Sequence, residues 1–140
     1  MGKWVKPTLN TKYHIDFDWW REQNLDFRVH LSNQLCRECR QKYAEHHASE
    51  LVDWVDPITG EVKRVDALWQ ALKSCCSTRP DYITETTPLT TAIFRVFLAN
   101  DNVPLSPVEL AERLKLAEPE IILRLLSKGA VYRGIKPIAA

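Results

Sequence analysis

All four cysteines of this chain fall into two tight groups, Cys36-Arg37-Glu38-Cys39 and the adjacent pair Cys75-Cys76. A Cys-x-x-Cys knuckle presents two thiolates on one tight turn, and a distant second pair can close the tetrahedron, which is the donor set of a four-thiolate zinc site. Cys36, Cys39 and Cys76 are the firmest ligands. The fourth position falls to Cys75 if the local helix opens there, or to His46 or His47. The histidines lie about two turns, roughly 10 Å, along a continuous helix from Cys39, so Cys75 is favoured. The same thiols suit an iron–sulfur cluster, but two compact groups without further cysteine favour zinc. A site that consumes four protein ligands has no open coordination position, and is structural.

Two bland readings compete with the metal. A free cysteine packs well as a small hydrophobe, and a Cys-x-x-Cys pair can do redox chemistry. A thioredoxin-type motif opens a helix after a strand, whereas this one follows a segment with helical periodicity. In a reducing cytosol, clustered cysteines are metal ligands or redox thiols more often than structural disulfides. His14, Asp16 and Asp18 alternate along one strand and so share a face on which a hydrolytic metal can be imagined. Solvated outward residues explain them equally well, and no nucleophile, general base or phosphate loop accompanies them, so the chain is not expected to be an enzyme.

Composition bounds the rest. With 140 residues and 45% hydrophobic content the chain can bury a core, and a formal charge of +1 gives no global attraction to nucleic acid or membrane. No run approaches the roughly 20 apolar residues of a membrane span, and Met1 to Pro7 lacks a signal-type apolar core, so a soluble cytoplasmic protein without a membrane partner is expected. The five tryptophans include Trp4 and Trp20 beside basic residues, where stacking on bases is conceivable. Filling a small core is the expected role of Trp20, Trp54 and Trp69.

Elements must hold the thiols. Tyr13 to Asp18 alternates as a strand, and Trp20, Phe27, Leu31 and Leu35 recur on one helical face that ends just before Cys36. Arg40 to Ser49 favours helix. Leu51 to Val55 and Glu61 to Val65 flank a Pro-Ile-Thr-Gly turn and predict a β-hairpin. Asp66 is placed to cap a helix carrying Leu68, Trp69 and Leu72, which runs into Cys75 and Cys76. Arg79 precedes Pro80 and is biased out of the helical region. The vicinal cysteines therefore sit at a helix end, where neighbouring side chains can converge instead of diverging by about 100°.

The C-terminal third carries the plainest local signals. Pro88 opens a helix with Leu89, Ile93, Val96 and Phe97 on its apolar face. Ser106-Pro107-Val108-Glu109 is a capping box with proline at the first helical position. Pro119 opens a third helix, Gly129 is placed to end it, and Val131 to Lys136 reads as a β tail. Helix, capped helix, short turn, helix and β tail resemble a winged helix-turn-helix over about 50 residues. The expected architecture is α+β, mainly α: a zinc-stapled helix and β-hairpin lobe over 1–86, then a winged helix over 87–140.

That resemblance implies nucleic-acid binding through the third helix, with Arg124, Lys128, Arg133 and Lys136 as the contact edge to double-stranded DNA and a transcriptional regulator as one role. From Pro104 to Ala140 six basic residues face four acidic ones, a weak positive bias, and Glu118 and Glu120 stand where a phosphate backbone would be repelled. Winged helices also dock other proteins, which is the alternative partner class.

Overall fold

The computed structural model describes residues 6–42, 51–55, 58–128 and 131–138, with 51–54 and 63–65 described by backbone alone. His46, His47, Gly129 and Trp4 lie outside the described residues, and so does the side chain of Trp54. The chain divides into two compact units. One is Asp26–Tyr82, and the other joins Met1–Leu25 to Ile83–Ala140. This differs from the expected boundary, because the first strand and first helix belong with the C-terminal segment.

The helix expected to run from Trp19 to Leu35 is two helices, α1 (Phe17–Glu22) and α2 (Phe27–Asn33). The break has a local cause: Asn24 adopts a positive φ of 55°, and the Asp26 carboxylate accepts from Arg28 N–H, which starts a new helix. In the Asp26–Tyr82 unit, α2 is followed by the short α3 (Arg37–Lys42). The strands β2 (Leu51–Val55) and β3 (Val62–Asp66) then pair antiparallel with Leu51 opposite Asp66 and Val55 opposite Val62. Asp66 ends β3 and caps α4 (Ala67–Ser74), its Oδ1 accepting from Leu68 N–H at 2.9 Å and Trp69 N–H at 3.3 Å. The other carboxylate oxygen takes the Arg28 guanidinium from the start of α2, and the Phe27 and Trp69 rings lie 5.6 Å apart. Leu31, Leu35, Leu68 and Leu72 are buried between these elements.

The other unit is built on a thin sheet. Strand β1 (Tyr13–Ile15) pairs antiparallel with β4 (Ile135–Pro137) on one side, and on the other Tyr13 and Leu105 exchange both backbone hydrogen bonds, at 2.8 and 3.0 Å. The β tail expected at Val131 to Lys136 thus forms later, and pairs with the N-terminal strand. Asn102 finishes that edge by hydrogen bonding both the N–H and the carbonyl of Ile15. Helix α5 (Leu89–Ala99) packs on β1, α6 (Pro107–Leu114) on α5 and α7 (Pro119–Ser127) on α6, with Phe94, Phe97, Leu98, Leu110 and Ile122 fully buried. The capping box at Ser106 and Glu109 is present in both directions, with Lys115 in the left-handed conformation closing α6. Gly134 has φ +78°, and a Cβ there would stand 2.7 Å from Trp20 Nε1, which itself donates to the Arg133 carbonyl at 3.0 Å. Only glycine fits that contact.

Candidate metal centre

The two thiol pairs stand at the ends of two helices that run in the same direction. At their starts Phe27 meets Trp69 and Arg28 meets Asp66; at their ends the chain delivers Cys36 past α2 and Cys75-Cys76 past α4. Parallel packing of α2 and α4 therefore brings together cysteines far apart in sequence. Helix α4 stops as expected. Cys75 leaves helical geometry with φ −120° and ψ −63°, and Cys76 begins a single 3-10 turn over Cys76–Thr78. That change lets adjacent side chains point to one place. On the other side Cys36 precedes α3, and its carbonyl accepts from Arg40 N–H at 2.8 Å, which holds Cys39 one turn along on the same face.

The four Sγ atoms lie within 4.8 Å of one another, and among the described residues no other group of three or more His, Cys, Asp or Glu ligand atoms converges in this way. Cys36 Sγ stands 4.0 Å from Cys75 Sγ, and the Cys36 N–H donates to Cys76 Sγ at 3.1 Å. A tetrahedron of thiolates about 2.3 Å from a central ion has edges of about 3.8 Å, so a contraction of at most about 1 Å turns this cluster into a coordination shell. All four cysteines are free thiols; Cys39 and Cys76 are buried, Cys36 and Cys75 half-buried. The cluster fits a metal ion held by four sulfurs. Cys75, expected only if the helix opened, is fully part of it.

The electrostatics are uneven. Burial raises the Cys36 thiol, but the Cys39 backbone N–H and hydrogen bonds with Cys76, Cys39 and Cys75 outweigh it and bring Cys36 down to about 7. Cys39 is pushed far above the ordinary thiol range, first by burial and then by its hydrogen bonds with Cys75 and Cys36. Cys76 is raised, chiefly by burial. A cluster of this kind holds one easily ionised thiol, Cys36, and keeps protons on the buried Cys39 and Cys76. A bound cation supplies the charge that removes them. Of the residues that support the thiols, Arg28 and Glu38 carry no motif of their own; the legible signs were Asp66 as a helix cap and Arg79 held extended by Pro80.

The four basic residues expected to form a contact edge are not equivalent. Arg124 and Lys128 are exposed at the end of α7. The Arg133 guanidinium lies over the Phe94 ring at 5.2 Å and the Tyr132 ring at 5.1 Å, with Nη1 buried, and Lys136 pairs with β1 and stands 3.8 Å from Asp16 Oδ2. Of the other chemical candidates, Asp16 caps α1 by accepting from Asp18 N–H, and Asp18 pairs with Arg21. Trp20 is core, as expected, whereas Trp69 is half-buried.

No protein-family model, no curated protein and no solved structure matches this chain. Among the described residues, no helix is long and apolar enough to cross a membrane.

Proposed function

We propose that the four cysteines hold one structural zinc ion, and that the chain acts by binding another protein through α7. The metal reading is carried by the convergence of four thiols from two distant segments. Zinc is the ion for which four thiolates in a closed tetrahedron make a purely structural centre. The order α5, the Leu105 bridge, α6, a short turn, α7 and a terminal strand paired with β1 supports reading the second unit as a winged helix. Its binding surface is read from α7. Ile121 and Leu125, one turn apart, are 48% and 37% exposed, and they line an open groove with Leu89, Thr90, Arg124 and Lys128. Apolar side chains on the outer face of a recognition helix favour a protein surface over a phosphate backbone.

Duplex DNA is the second reading, and Arg124 and Lys128 support it, exposed on the same face. Arg133 and Lys136 contribute less, since both are committed within their own unit. The experiment has two arms. Random duplex DNA at low salt is expected to bind weakly or not at all, and a partner captured from the native host by wild type is expected to be lost with Ile121→Asp and Leu125→Asp. Tight DNA binding that falls steeply with salt and weakens with Arg124→Ala, while Ile121→Asp leaves it unchanged, replaces the protein reading.

A further inference from the structure

A divalent ion on four thiolates is a dianion, and here two of its sulfurs are buried and two half-buried. Excess negative charge in a partly desolvated site is costly unless a cation stands against it. Among the described residues the side chain that meets this need is Arg79. The 3-10 turn after Cys76 closes with Arg79 N–H donating to the Cys76 carbonyl at 3.2 Å, and Pro80 holds Arg79 extended at φ −78° and ψ 143°. That backbone returns the guanidinium over the cluster. Its Nη2 donates to Glu38 Oε2 at 2.8 Å, across the Cys36–Cys39 knuckle, and Cys75 first, then Cys36 and Glu38, hold the guanidinium all the more firmly in its charged form. Its Nε is buried without a hydrogen-bond partner, a donor left over in the site. Arg40, on the knuckle helix α3, is engaged elsewhere: it donates to the carbonyls of Asn33 and Leu35.

We infer that Arg79 is the charge-balancing partner of the thiolate centre, tying Glu38 of the Cys36–Cys39 segment to the turn that carries Cys76 and thereby raising the affinity of the site for a divalent metal. The inference rests on the zinc reading above. Glu38 does not cancel the effect. Its side chain is 78% exposed and screened by water, whereas that of Arg79 is 35% exposed, with its Nε buried. Glu38 acts as the tether and the guanidinium as the charge. Arg79 is thus a positioning residue, since it touches ligands and not the ion.

The test uses the full-length protein, zinc competition against a chromophoric chelator, and cobalt(II) as a spectroscopic substitute. Arg79→Gln is expected to weaken zinc binding by about 10- to 100-fold, the usual loss when an outer-shell partner is removed. Its sulfur-to-cobalt charge-transfer band is expected to move to lower energy, because the thiolates lose a hydrogen-bonding cation. Arg79→Lys keeps the charge and is expected to stay within about threefold of wild type, with its band close to the wild-type position. Zinc affinity unchanged in Arg79→Gln overturns the inference, and so does an equal loss in both variants, which marks packing or the planar fork as the cause. Should Arg79→Gln form no site at all, recovery by Arg79→Lys upholds the charge role and failure to recover rejects it. Wild type lacking a tetrathiolate cobalt spectrum overturns the metal reading itself, a result distinct from any of these.

Discussion

The two units bury different kinds of side chain. The unit formed by Met1–Leu25 and Ile83–Ala140 has Tyr13, Trp20, Phe94 and Phe97 at its centre, all almost wholly buried, with Ile15, Ile93, Leu98, Leu110 and Ile122 around them. The Asp26–Tyr82 unit buries leucines and alanines, and next to them the thiols of Cys39 and Cys76; Tyr82 is its one buried aromatic among the described side chains. A unit below about 70 residues rarely gains more than a few kcal/mol from its core, and small domains make up the deficit with disulfides or a metal. The comparison indicates that one unit holds itself together by aromatic packing and the other by its sulfur cluster. Each can be broken by a change that leaves the other intact.

The largest effect falls on the thiols. Cys39→Ser or Cys76→Ser removes one of the four thiols proposed to hold zinc and buries a hydroxyl in its place. Structural zinc supplies about 10 kcal/mol or more of apparent folding free energy, so loss of order through Asp26–Tyr82 is expected, read as lost amide protection there with α5 to α7 unchanged. Next is the mirror experiment. Phe97→Ala removes a fully buried ring and is expected to cost about 3–5 kcal/mol in the other unit, measured by chemical denaturation, while the zinc content stays at one per chain. A Phe97→Ala protein that also loses zinc would show that the two units are not independent.

A smaller effect sharpens how the cysteines are brought together. Asp66→Ala removes the cap of α4 and the partner of Arg28 at once, a loss of about 2 kcal/mol with weakened metal binding, because α2 and α4 deliver the two thiol pairs. If zinc affinity is untouched, helix pairing is not what sets the site. The smallest concerns Glu109. Its carboxyl is held below the ordinary value of 4.5, first by Lys12 and then by the Ser106 backbone N–H. A depressed folded-state pKa gives stability that is present above the unfolded value and lost as pH falls through the folded one. Glu109→Gln is therefore expected to flatten the decline in stability below about pH 4.5 by a fraction of a kcal/mol, since the pair is exposed and screened by water.

Much of this was legible in the residues. The thiol spacing pointed to the cluster, Asp66 to the start of α4, Pro80 to the end of the helix that carries the vicinal cysteines, and the Ser106 capping box to α6. Each is a short-range signal, in which side-chain chemistry and backbone geometry lie within a turn of each other. What escaped was long-range. Periodicity carried one helix through Asn24 and Asp26 because a single positive φ does not disturb the spacing of Trp20, Phe27 and Leu31. The tail after α7 reads as a β wing of the C-terminal lobe, whereas β4 pairs with β1, over a hundred residues away, a partnership that no local pattern encodes. Arg79 and Arg133 were the same residue type with no distinguishing neighbours apart from Pro80, and only packing shows that one pairs with Glu38 between two of the thiols and the other lies over aromatic rings.

The central claim is that a metal on Cys36, Cys39, Cys75 and Cys76 holds the Asp26–Tyr82 unit together. Hydrogen exchange followed by mass spectrometry, on the purified protein before and after a strong zinc chelator, tests it most directly. The account predicts release of one zinc per chain and loss of protection across α2, α3 and α4, with α5, α6 and α7 as protected as before. Protein that carries no metal yet is fully protected over Asp26–Tyr82, or a chelator that changes neither unit, contradicts it.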